Sequence, residues 1–210
     1  MTTPEKLVEG FRRFRERHFT EDDALYRQLT TEGQTPRILM VACCDSRVDP
    51  ALVMDCAPGD LFVIRNVANL VPPAESRESG RHGTSAALEF GVRSLKVEHI
   101  IVLGHAQCGG IRSLFSENAA EAGSYVHAWM RAAEEVHAAV LREMPDAPVD
   151  EQVVACEQRA ILVSLDNLMT FPWVRERVEA GSLKLHGWYF DIERGQLTHH
   201  NPASGVFEAL

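Results

Sequence analysis

Two short runs, Cys43-Cys44-Asp45-Ser46-Arg47 and His105-Ala106-Gln107-Cys108-Gly109-Gly110, carry side chains that can share one metal ion. Two thiolates and an imidazole are soft or borderline ligands that suit tetrahedral Zn2+. Three protein ligands leave one position free for chemistry, whereas a structural site closes with a fourth Cys or His. Adjacent side chains on extended backbone point to opposite faces, so Cys43 and Cys44 do not both face the metal, and we take Cys43. Cys56 and Cys156 have no His or carboxylate pattern beside them and read as core thiols.

Each run follows an apolar stretch, Ile38 to Ala42 and Ile100 to Gly104, that reads as a buried strand. As parallel neighbours these strands would end side by side, at the carboxyl edge where open α/β sheets bind ligands. Cys108 then projects from the following turn, where Gly109 and Gly110 free the backbone for tight geometry. Strands are expected near 37–43, 60–65, 99–104 and 183–191, and helices near 83–95, 124–143 and 151–169. That alternation predicts an α/β fold with a central, mostly parallel β-sheet flanked by helices.

Leu7, Phe11, Phe14 and His18 follow helical spacing, so residues 4–18 predict an amphipathic arm within an N-terminal segment 1–20. Pro72 to Gly83 reads as an exposed loop. Val154, Ile161, Leu165 and Leu168 read as the core stripe of the last long helix. His82, His99, His127 and His137 fall in regions that read as loop or helix surface. His199 and His200 fall in an expected edge strand, where parity keeps them from joining one site.

With 210 residues and 45% hydrophobic content, the chain is enough for one substantial domain over 1–210. A net charge of −9 and a pI near 5.5 argue against nucleic acid and anionic membranes, which want basic patches. The basic cluster Arg12, Arg13, Arg15 and Arg17 reads as a solvated helix face. The apolar runs are too short to span a bilayer, and the N-terminus lacks the apolar core of a secretory signal. Five cysteines with ligand-like spacing predict a reducing compartment, and hence a cytoplasmic protein.

The two runs, Cys-x-Asp-Ser-Arg and then His-x-x-Cys-Gly-Gly, closely resemble those of the β-class carbonic anhydrases. The similarity continues through Phe62-Val63-Ile64-Arg65-Asn66-Val67-Ala68-Asn69-Leu70-Val71-Pro72 and Leu185-His186-Gly187-Trp188. It implies a zinc lyase, a carbonate dehydratase, that reversibly hydrates carbon dioxide to bicarbonate and a proton by attack of zinc-bound hydroxide. It assigns zinc ligation to Cys43, His105 and Cys108 and a catalytic dyad to Asp45 and Arg47, with Asp45 as fourth ligand in a closed state. A neutral Zn2+–dithiolate site acidifies water less than a three-histidine one, so help from Asp45 makes chemical sense.

The resemblance further places Gln34, Phe62, Val67, Phe90 and the backbone amide of Gly109 around the substrate. It also implies a homodimer or higher homo-oligomer in which the arm packs on a partner. Phe90 stands where a plant-like branch has Tyr, and so loses a hydroxyl. In another branch a Trp, an Arg and a Tyr build a non-catalytic bicarbonate pocket; those positions here are Met40, Arg65 and Phe190, which implies that this lock is absent. Two alternatives carry different chemistry: a zinc enzyme of the same scaffold acting on carbon disulfide or carbonyl sulfide, and a non-enzymatic zinc-stabilised scaffold.

Overall fold

A computed structural model of the chain describes residues 3–19, 24–74, 82–116 and 124–210. It comprises two compact units, Met1–Thr35 and Pro36–Leu210. In the first, α1 (Pro4–His18) starts at Thr3, whose hydroxyl accepts from the Lys6 amide, with Pro4 at the first helical position. The expected arm is therefore a helix. None of its residues is buried, and Leu7 and Phe11 are 66% and 61% exposed. A second helix, α2 (Leu25–Glu32), extends this unit beyond the expected segment 1–20; the Phe14 and Tyr26 rings meet edge to face at 5.6 Å.

The larger unit holds β1 (Ile38–Cys43), β2 (Leu61–Asn66), β3 (His99–His105), β4 (Lys184–Asp191), β5 (Gln196–Asn201) and β6 (Val206–Ala209). Their order in the sheet is β2-β1-β3-β4-β5-β6. The first four pair in parallel, while β5 and β6 add antiparallel. The mostly parallel α/β sheet expected from the alternation is what forms. One expectation fails at its margin: His199 and His200 lie in β5, an inner strand, because the short β6 folds back over it through a turn at Gly205 (φ +73°).

Helices α3 (Pro50–Val53), α4 (Gly83–Glu89), α5 (Gly109–Ser113), α6 (Tyr125–Met130), α7 (Glu134–Glu143), α8 (Val149–Leu168) and α9 (Pro172–Glu179) flank this sheet. The helix expected over 83–95 widens into a π turn over Phe90–Ser94. There Gly91 lies so close to β1 that a Cβ would stand 2.4 Å from Leu39 Cδ1. The helix expected over 124–143 is interrupted by a 3-10 turn, Arg131–Ala133. Of the expected loop from Pro72 to Gly83, residues 75–81 lie outside the described residues, and Gly83 already opens α4.

Helix α8 buries Val153, Cys156, Ala160, Ile161, Ser164 and Leu168. Val154, expected in that stripe, is 41% exposed. Ile161 and Leu168 are buried as expected and Leu165 packs beside them, while Val153, Gln152, Glu157 and Ser164 complete a buried face whose polar members a stripe counted by hydrophobicity alone conceals. His99 departs from the surface reading too: it opens β3 half-buried, with Nδ1 3.0 Å from Nε2 of His186. His137 is half-buried against the Phe115 ring at 4.4 Å.

Candidate metal centre

Parallel pairing of β1 with β3 aligns Ala42 with Leu103, so the ends of both strands fall at the same edge of the sheet. Cys43 closes β1 and His105 closes β3. Cys108 follows a sharp turn at Gln107, whose φ of +59° lies in the left-handed region, and caps α5. Ligand atoms of Cys43, His105 and Cys108 all lie within 4.8 Å of one another, and all three residues are buried.

The donor set fits a cation. His105 Nδ1 lies 2.9 Å from the Ala106 carbonyl, so it carries the proton and donates, which leaves the lone pair on Nε2. Nε2 is buried and has no hydrogen-bond partner among the described residues, an orphan that a metal ion would satisfy. Cys43 is drawn down to about 4, chiefly by a hydrogen bond from Cys108 and against the cost of burial. Cys108 is pushed up by that same shared proton and by burial. The proton shared between the two thiols lowers Cys43 and raises Cys108, and a divalent cation held by both sulfurs would take that proton's place.

Beside these groups the Asp45 carboxylate is gripped bidentately by Arg47. Arg47 Nε donates to Oδ1 at 3.0 Å and Nη2 to Oδ2 at 2.7 Å, while the Arg47 amide donates to Oδ1 at 2.9 Å. The guanidinium holds the Asp45 carboxyl well below the usual carboxylate range. The Asp45 amide donates to Cys43 Sγ at 3.4 Å, which ties this dyad to a candidate ligand.

Residues that sequence reasoning did not place at the site hold it together. Arg65, read only as a member of an incomplete bicarbonate pocket, donates from Nε to the Cys43 carbonyl at 2.9 Å and from Nη2 to the Asp45 carbonyl at 2.7 Å. Its Nη1 donates to Asp49 at 2.8 Å. Glu157, 2% exposed on α8, accepts the Cys108 amide at 2.8 Å and the Tyr189 hydroxyl at 2.8 Å. Burial raises its carboxyl and the two hydrogen bonds oppose that rise. A lone glutamate on an apolar helical face was the one available signal. Met40, 1% exposed, and Phe190 pack with Ile101, Leu103 and Trp188 in an apolar layer.

The other candidates separate. Val67 lies beside the Cys108 turn, since a Cβ on Gly110 would come 2.9 Å from its Cγ1. Gly109 opens α5 and is exposed, with nothing within 4 Å of where a Cβ would stand. Phe62 and Phe90 pack ring to ring at 5.9 Å, with Phe90 47% exposed. Gln34 is exposed and belongs to the N-terminal unit.

Comparison with known proteins agrees with this architecture. The carbonic anhydrase family model matches residues 38–197. The chain is 39% identical to β carbonic anhydrase 5, chloroplastic, of Arabidopsis thaliana, over 89% of its own length and 61% of that relative's. It is 37% identical to a carbonic anhydrase of Synechocystis sp., over 92% and 69% of the two lengths. Among solved structures, the β-carbonic anhydrase CcaA superposes with a TM-score of 0.88 at 34% identity, over 98% of this chain and 91% of that one. A tetrameric β-carbonic anhydrase from Sordaria macrospora gives 0.83 at 28% identity, over 98% of both chains. The chain belongs to the β-class carbonic anhydrases.

Proposed function

We propose that this protein reversibly hydrates carbon dioxide to bicarbonate and a proton, using Zn2+ held by Cys43, His105 and Cys108. The buried Cys-His-Cys cluster with its unpartnered imidazole nitrogen carries this reading. When bound, Zn2+ supplies a hydroxide nucleophile near neutral pH. Asp45, kept ionised by Arg47, would serve as a hydrogen-bond acceptor beside the cluster, able to orient a nucleophilic oxygen toward the substrate carbon. Arg47 also occupies both Asp45 oxygens, and a carboxylate released from it would be free to join Cys43, His105 and Cys108 in holding the metal.

Within the larger unit, the Phe62–Phe90 ring pair and Val67 would supply apolar surface for a small, nearly apolar substrate, with the Gly109 amide as donor. Phe90 offers no hydroxyl, so proton transfer falls to another group. With Met40 and Phe190 packed as apolar residues, bicarbonate has no second pocket of the Trp-Arg-Tyr kind. The exposed Leu7 and Phe11 of α1 support a homo-oligomer in which this arm lies against another copy. All five cysteines are free thiols, which supports a reducing, cytoplasmic setting. No described helix is long and apolar enough to cross a membrane.

Stopped-flow hydration with a pH indicator, from about pH 6.5 to 9, tests the reading on protein of known zinc content. Turnover should rise with pH, vanish on chelation and return with added Zn2+. A zinc-loaded protein inert across that range would overturn it, and carbon disulfide would be the next substrate to try.

A further inference from the structure

The guanidinium of Arg47 has donors left over after it has engaged Asp45, and one residue receives them. Arg47 Nη2 donates to the Gln107 backbone carbonyl at 3.0 Å, and Nη1 points at Gln107 Oε1 at 3.4 Å. Gln107 adopts left-handed backbone at φ +59°, a conformation unfavourable for a residue with a Cβ, and that turn aims its carbonyl at Arg47. On its other side the Gln107 amide nitrogen donates to Glu193 Oε1 in the turn between β4 and β5. Glu193 is itself fixed, because Asp191 Oδ1 accepts the amides of Glu193 at 2.9 Å and Arg194 at 3.1 Å.

The chemistry of this chain runs in one direction only. A carboxylate accepts and a guanidinium donates, so the Gln107 amide between them must turn its NH2 toward Glu193 and its oxygen toward Arg47. Reversing the amide would set a donor against donors and an acceptor against an acceptor. The Arg47 side chain is 48% exposed and would sample other rotamers if only Asp45 held it. We infer that Gln107 and Glu193 are positioning residues for the proposed reaction: Glu193 orients the Gln107 amide, which braces the far edge of the Arg47 guanidinium and keeps it locked on Asp45. The inference rests on the reading of Asp45 and Arg47 given above. Neither residue touches substrate; both act through Arg47.

The test compares Glu193→Leu, which keeps the bulk but removes the acceptor, with Glu193→Gln, which keeps an acceptor oxygen and removes the charge. Glu193 is exposed, so both variants should melt like the parent protein. At equal zinc content, E193L should lower kcat about fivefold with KM unchanged, and E193Q should restore most of it. The second readout needs no turnover and no metal: exchange of the Arg47 Nε–H with water, followed by 15N NMR and assigned with Arg47→Lys. It should speed up in E193L and stay slow in E193Q. An E193L protein with parental kcat and parental Nε–H exchange would overturn the inference, and so would an E193Q protein as impaired as E193L. Should the parent protein itself fail to hydrate carbon dioxide, the functional reading falls, and the exchange measurement still decides whether Glu193 braces Arg47.

Discussion

Cys108 stands at the junction of three local demands: its thiol belongs to the buried cluster, its amide is held by Glu157, and its backbone caps α5. A hydroxyl could replace the thiol's volume but not its acidity, since a serine does not become a soft anionic ligand. Cys108→Ser should therefore lose bound zinc on dialysis against a mild chelator, while the parent retains it; metal analysis of both checks this, and an unchanged zinc content would count against the ligand assignment. The three candidate ligands could be read from residue type and spacing, because each lies in a short run of sequence, whereas the Asp45–Arg47 pair was implied by the resemblance to the β-class motif. Arg65, Glu157 and Gln107 could not. Their partners are the carbonyls of Cys43 and Asp45, the amide of Cys108 and the far side of a guanidinium, groups that only the fold brings within reach.

Between elements, α8 packs tightly onto β3 and β4. Ile161 of α8 reaches over Gly104 and Gly187, with the position of a Gly104 Cβ 2.6 Å from Ile161 Cδ1 and 2.8 Å from its Cγ1. Side chains this close have no room to accept a methyl group without moving, and overpacking of this kind costs about 1–3 kcal/mol. Gly104→Ala should lower the melting temperature accordingly, and adding Ile161→Val, which removes Cδ1, should recover part of the loss. A Gly104→Ala protein as stable as the parent would show that α8 yields freely. The parallel strands β1 and β3 were legible because their apolar runs are nearly continuous and bounded by turn residues. Less so were β6, too short to show alternation, and the buried face of α8, where Gln152, Glu157 and Ser164 interrupt the apolar pattern. The π turn at Phe90–Ser94 lies where Gly91 comes close to Leu39, a tertiary contact with no local signature in the sequence.

At the scale of the whole molecule, α1 presents two large apolar side chains, Leu7 and Phe11, at the surface of the described residues. Leu7 and Phe11 are largely exposed although the helix is well capped, and the proposed contact with another copy would cover them. The double substitution Leu7→Ser with Phe11→Ser should shift the mass measured by light scattering toward that of one chain. An unchanged mass would place the contact elsewhere. Across these scales, β1 and β3 bring a Cys-His-Cys cluster together at their carboxyl ends, and in the proposed reaction Arg47 would keep Asp45 beside it and not upon it. Carbon dioxide hydration by the parent and by Arg47→Ala, at matched zinc content, measures this most directly. The account predicts rapid, pH-dependent turnover in the parent and at least about a tenfold loss in the variant, with zinc still near one per chain. Full activity in Arg47→Ala at that zinc content would contradict it.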